Sequence, residues 1–244
     1  MIISYLILIS YLGFTVGPAK VEKVVLGAEA VTEIFEVQNF TDDSLRIKVE
    51  FEDFDVDESG KVAFYVPGHF ANSLGPRATV NPEEFVIPPK DVEAVRVTSQ
   101  LSPASEIPEY YGMLLFKSQP IPTRYSAAIS VAGEIGVPVY YAIPEHAAKS
   151  ASFDSFFVRG DSLGVVLTNT GNVHLRVTGE VIVTTYDTKI IQRDSLREFI
   201  VMPRKQRRIS IPIKSVLERG SYLAKVVFDY GAIELIMGEK RFTK

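Results

Sequence analysis

Glu33-Ile34-Phe35-Glu36-Val37 and Arg46-Ile47-Lys48-Val49-Glu50-Phe51 decide the fold of this 244-residue chain. Charged and apolar side chains alternate with a period of two throughout Arg46–Phe51, and over Phe35-Glu36-Val37 in the first segment. An extended strand sorts such a pattern onto two faces, one for a core and one for water, whereas a helix would scatter the charges around its axis. Between the two segments, Asn39-Phe-Thr-Asp-Asp43 reads as a turn, because short polar side chains hydrogen-bond back to their own backbone. The same period recurs at 92–98, 113–117, 127–141, 164–168, 176–186, 207–213 and 222–230. Turn sequences separate these runs, among them Glu58-Ser-Gly60, Pro88-Pro89, Asn169-Thr-Gly-Asn172 and Arg219-Gly220. No long stretch carries the helical period behind a capped start. Many short strands without intervening helices predict an all-β chain, a sandwich or barrel and not βαβ units; the architecture expected is two tandem immunoglobulin-like β-sandwich domains.

Composition narrows the chemistry. With 46% hydrophobic and 23% charged residues the chain can fill ordinary cores. It has no cysteine, which excludes disulfides, thiolate metal sites and a cysteine nucleophile. Residues 1–19 carry no charge, and the run from Ile2 to Phe14 is almost wholly apolar. That length suits the apolar core of an export signal better than a membrane span of about 20 residues. A signal peptide is therefore expected over 1–17, cut near 15–19, with a buried first strand or a retained N-terminal anchor as alternatives.

The domain boundary is expected near Ile143-Pro-Glu-His-Ala-Ala-Lys-Ser150, giving domains at 18–144 and 150–244. Charge changes sign there: residues 20–149 balance at −9 and residues 150–244 at +5. The halves also share a scheme. Each runs a strand into an Asn-containing turn, Val37-Gln-Asn39-Phe-Thr41 and Leu167-Thr-Asn169-Thr-Gly171. Each later places a Pro-containing turn before an Arg-bearing strand, over 88–97 and 203–213.

Several short motifs come in a telling order. They are Phe35-Glu-Val-Gln-Asn39, Asp53-Phe-Asp-Val-Asp-Glu-Ser-Gly60, Ser73-Leu-Gly-Pro76, Val80-Asn-Pro-Glu-Glu-Phe85, Ile87-Pro-Pro89, Val95-Arg-Val97, Glu109-Tyr-Tyr-Gly-Met-Leu-Leu-Phe116 and Gly136-Val-Pro-Val-Tyr140. Over roughly 18–142 the chain resembles the PapD-like periplasmic chaperones of pilus assembly, as a divergent two-domain relative. The segments Leu167-Thr-Asn-Thr-Gly-Asn-Val-His-Leu175 and Phe228-Asp-Tyr-Gly231 resemble the additional sandwich of such relatives. The resemblance implies a periplasmic or extracellular, non-enzymatic protein that binds an exported protein subunit through a strand edge or an interdomain cleft. It also implies a basic pair gripping the subunit's terminal carboxylate, and an alternating strand offering apolar side chains to the subunit. For the first basic position the candidates are Lys20, in Pro18-Ala-Lys-Val21, and Lys23. The second falls near Glu134-Ile-Gly136, where no Lys or Arg stands, a departure from the family pattern. For the offered strand, Ile129 and Val131 share a face with Tyr125, Ala127, Ile135 and Val139; the same face could equally pack into the domain's own core.

Other constellations carry less. Asp53, Asp55 and Asp57 alternate as ligands of a hard cation might. Counted from Asp55, however, the twelfth position is Val66 rather than a bidentate Glu, so an acidic hairpin tip is the expectation and no metal is assigned. His69, His146 and His174 are isolated in sequence, and no nucleophile elbow or phosphate loop is present. Glu50 and Glu52 share the solvent side of their strand. No catalytic residue, cofactor, nucleic acid or small-molecule substrate is expected. The basic run Pro203-Arg-Lys-Gln-Arg-Arg208 is read as a turn partly paired within the molecule. Asn39-Phe-Thr41 matches a glycosylation sequon. The alternative function is a structural or adhesion module that associates with copies of itself, touching a membrane only through the signal or a retained anchor.

Overall fold

The computed structural model describes residues 13–26, 30–102, 106–119 and 132–244. Among them every regular element is a strand, apart from one short 3-10 turn at Gly75–Arg77. Contacts divide the chain into two compact units. The first takes in the chain up to Phe54 and Phe64–His146; the second takes in Asp55–Ala63 and Ala147–Lys244.

In the first unit, β1 (Phe14–Gly17), β3 (Ala30–Asn39), β8 (Val92–Gln100) and β6 (Ala78–Asn81) form one sheet in the order β1-β3-β8-β6. The other sheet runs β2 (Val21–Val24), β10 (Glu134–Ala142), β9 (Glu109–Gln119), β4 (Leu45–Val56), β5 (Val62–Tyr65), with β7 (Glu84–Ile87) also on β4. Alternation places Phe35 and Val37 of β3, Ile47 and Val49 of β4, and Leu114 and Phe116 of β9 in one buried cluster. Removing each such side chain from water stabilises the fold by about 1.5–3 kcal/mol.

β1 lies at the end of the apolar N-terminal run. Phe14–Gly17 pairs antiparallel with β3, from Phe14↔Asn39 to Gly17↔Glu36, and Phe14 is buried in the core. The strand therefore overlaps the last residues of the expected signal, as in the alternative of a buried first strand. The rest of the expected signal, residues 1–12, lies outside the described residues.

In the second unit, β11 (Ala151–Arg159), β12 (Ser162–Asn169) and β15 (Gln206–Pro212) form one sheet. β14 (Ile190–Val201), β13 (Leu175–Thr185), β16 (Ser221–Asp229) and β17 (Ile236–Thr243) form the other, in the order β14-β13-β16-β17. A separate core gathers Leu163, Val165, Leu175, Val181, Val226 and Phe228. Each unit is a sandwich of two antiparallel-paired sheets, with one parallel pair, β2 against β10, in the first.

The two Asn turns are built alike. Asn39 and Asn169 are fully buried. Each accepts a hydrogen bond at Oδ1 from the backbone two residues on, Thr41 and Gly171, both at 2.9 Å. Each donates from Nδ2 to the carbonyl four residues on, Asp43 and Val173, both at 2.8 Å. Nδ2 also reaches the far strand end, at Pro88 (2.9 Å) and at Val201 (3.0 Å). The backbone N–H of each Asn donates to Asp91 and Lys205, which follow left-handed Lys90 and Arg204. Those two cations in turn donate to the carbonyls of Phe40 (2.6 Å) and Thr170 (2.8 Å). The amide of the Asn39 sequon is thus engaged with the backbone carbonyls of Asp43, Ile87 and Pro88.

Candidate partner-binding edge

β10 stands between the first core and an open flank. Val137, Val139 and Tyr141 point inward and are buried, while Ile135, in the same row, is only half-buried against the core. On one side β10 pairs along its whole length with β9, from Glu134↔Lys117 to Ala142↔Glu109. On the other side β2 pairs with it in parallel only from Val139↔Val21 to Ala142↔Val24. The reason lies in the chain path. Upstream of Val21 the backbone crosses at 18–20 to the opposite sheet, where β1 pairs with β3. Residues 134–138 therefore have no strand on that flank among the described residues. An open flank of this kind presents backbone donors and acceptors that a partner strand can pair. Ile129 and Val131, expected on the preceding part of this strand, lie outside the described residues.

The cations near this edge are largely engaged within the unit. Lys20 is exposed in the crossing between β1 and β2. Lys23 on β2 sits 2.6 Å from the Glu33 carboxylate on β3, linking the two sheets. Burial, followed by the Glu33 charge, pushes the Tyr141 phenol above its ordinary value. A lysine that sequence reading missed stands beside β10. Lys117 is the cross-strand partner of Glu134, with Nζ 3.5 Å from its carboxylate, 2.7 Å from Glu50 and 3.0 Å from Glu52. Lys48 adds a 2.5 Å contact to Glu50. The Glu50 carboxyl is held below its ordinary value by Lys117 first and Lys48 second, and the Lys117 ammonium is raised, mainly by Glu50. The signal for Lys117 was present in the sequence, since β9 must neighbour β10, but the cross-strand register was not.

Solved structures show what arrangement this is. The chain is similar to CfaA, a class 5 fimbriae chaperone, at 15% identity over 93% of this chain and 98% of that one, with a TM-score of 0.52. It is similar to the CsuC–CsuE chaperone–tip adhesion subunit pre-assembly complex of Acinetobacter baumannii, at 12% identity, covering 93% and 97%, with a TM-score of 0.53. It is also similar to the E. coli chaperone DraB, at 15% identity, covering 96% of each chain, with a TM-score of 0.50. The chain has the pilus-chaperone fold. At these identities the likeness is one of fold. No family model matches the chain. No curated protein matches it either.

Within this chaperone fold the acidic alternation of 53–57 does not form a cation site. The Asp53 carboxylate is buried and accepts hydrogen bonds from the Phe70 backbone N–H (2.9 Å) and the Ser73 hydroxyl (2.5 Å). Asp55 pairs with Lys205. Asp57 closes the hairpin, accepting from the N–H groups of Ser59, Gly60 and Lys61. All three serve as anchors for the protein's own donors. The basic run uses the same tip within the second unit: Arg208 Nε lies 2.9 Å from Glu58, and its N–H donates to the Glu58 carbonyl at 2.8 Å. Among the described residues no group of three or more His, Asp or Glu side chains could hold a metal ion.

Proposed function

We propose that the protein is a non-enzymatic, extracytoplasmic chaperone of the pilus-assembly type. It would bind an exported protein subunit by strand addition along β10. The observation that carries this reading is the flank of 134–138, which no described strand covers, beside a strand whose apolar row continues from the core out to half-buried Ile135. Two solved complexes of similar fold hold a chaperone together with a tip adhesin or a tip adhesion subunit. Ile129 and Val131 are the side chains proposed to be offered to the subunit, and Lys20 and Lys23 the candidate contacts for its carboxylate. Lys23 already faces Glu33 and Lys117 is shared among three carboxylates. The strand edge, rather than a basic clamp, is thus given the larger part of the affinity. Export would be directed by the apolar N-terminal run.

The experiment is co-purification of the tagged protein from the periplasmic or secreted fraction of its native host, comparing wild type with Ile135→Lys and with the Lys20→Ala/Lys23→Ala pair. The expected result is a specific exported partner, lost with Ile135→Lys and retained, about tenfold weaker at most, in the lysine pair. Retention by Ile135→Lys, or recovery of copies of the protein alone, would favour a self-associating structural module and overturn the reading.

A further inference from the structure

The edge strands of the second unit are guarded against unplanned pairing. β11 and β14 carry register shifts against their neighbours. β17 carries Glu239, Lys240 and Arg241, and β15 carries Arg207 and Arg208. Bulges and charges are devices that keep an edge from adding a strand.

β5 has neither charges nor a register shift; β1 and β6, which end the opposite sheet, lack them too, but those strands are partly buried and β5 is not. It ends its sheet, no described strand pairs with its outer side, and all four of its residues, Val62-Ala-Phe-Tyr65, are exposed. Phe64 is 46% and the following Val66 74% exposed. No Asp, Glu, Lys or Arg stands between Lys61 and Arg77. Beside Phe64, Tyr65 and Val66 lies a groove of about 400 Å³, shared with Phe51 and with the carboxylate-bearing Glu50 and Glu52.

We propose that β5 is a second docking edge, taking an extended segment of a partner protein in which apolar and basic side chains alternate. An added strand would hydrogen-bond along β5 and seat one apolar side chain in the groove beside Phe64. Its basic side chains would meet Glu50 and Glu52, which together with Glu134 outnumber the two ammonium groups already beside them, Lys117 and Lys48, on a half of the chain whose charge balance is −9. A second copy of this chain fits less well. Its own β5 brings no cation and the same acidic neighbours, so pairing would set like charges together.

The test is fluorescence anisotropy with a dansyl-labelled peptide of alternating valine and lysine. Wild type should bind it, more weakly as salt rises, and should not bind the valine–glutamate counterpart. Phe64→Lys and Val66→Lys, both at exposed positions and each checked for an unchanged circular dichroism spectrum, should each weaken binding about fivefold or more. Ile135→Lys at the β10 edge should leave it unchanged, which separates this surface from the one proposed above. The proposal is overturned by no binding by wild type, by equal binding of the glutamate peptide, by full binding by both β5 variants, or by loss with Ile135→Lys. A concentration-dependent dimer in sedimentation equilibrium that Phe64→Lys abolishes would overturn it in favour of self-pairing.

Discussion

At the residue scale, two asparagines hold the corners of the two sandwiches with the same hydrogen bonds. A buried amide is suited to this because it donates two bonds and accepts one or two without carrying charge. Removing it leaves several backbone groups without partners in a place water does not reach. Asn169→Ala should therefore destabilise the second sandwich by about 3 kcal/mol, the scale of one to two orphaned buried polar groups. Urea unfolding followed by circular dichroism measures this. A loss within the scatter of surface substitutions would mean that the turn is held by Pro203 and left-handed Arg204 instead. In the sequence both Asn residues were legible as turn formers, but their burial was not. A turn signal reports local backbone preference, whereas burial depends on the far strand end that each Nδ2 reaches.

At the scale of elements, Lys117 shows what strand pairing adds. Glu50 and Glu52 share the solvent face of β4, and sequence reading left them there. The β4–β9–β10 register brings one ammonium within 3.5 Å of three carboxylates. The folded Glu50 carboxyl is depressed, so its contribution is present above the unfolded value, near 4.5, and is lost as pH falls through the lower folded value. Lys117→Met should cost about 1 kcal/mol at neutral pH, as for a partly exposed cluster. The penalty should shrink once the carboxylates are protonated. Paired urea titrations of wild type and variant at neutral and strongly acidic pH read the difference. An equal penalty at both would assign the role of Lys117 to its aliphatic stem. β14 was missed for a related reason. Its sequence Ile190-Ile-Gln-Arg-Asp-Ser-Leu-Arg-Glu-Phe-Ile-Val201 does not alternate, because its pairing with β13 shifts register twice. Each shift moves the following side chains to the other face.

At the scale of the whole molecule, two separate cores stand where a change of charge and a proline-containing linker suggested two domains. Phe228 is fully buried in the second, against Phe153 and Phe199. Phe228→Ala should destabilise the second sandwich by about 3–5 kcal/mol. In scanning calorimetry it should lower one unfolding transition and leave the other in place. A single transition that shifts as a whole would show that the two sandwiches unfold as one cooperative unit. The hairpin tip Asp55–Ala63, grouped with the second unit, is the part of the domain plan that no linear reading contained. Its partners, Lys205 and Arg208, lie about 150 residues further along the chain.

The sequence by itself determined that the chain is all-β, that it forms sandwiches, and which strand faces are apolar. Period-two alternation is a local property, and a strand has only two faces to assign. Only the tertiary structure decided which strand flanks stay open, which cations are already spent, and that Phe14–Gly17 belongs to the core. Those outcomes depend on which strands become neighbours and in what register. The flank of β10 at 134–138, which no described strand covers, is the clearest case. It exists because the chain changes sheets between Gly17 and Val21, a crossing that leaves no mark in the composition or spacing of β10 itself.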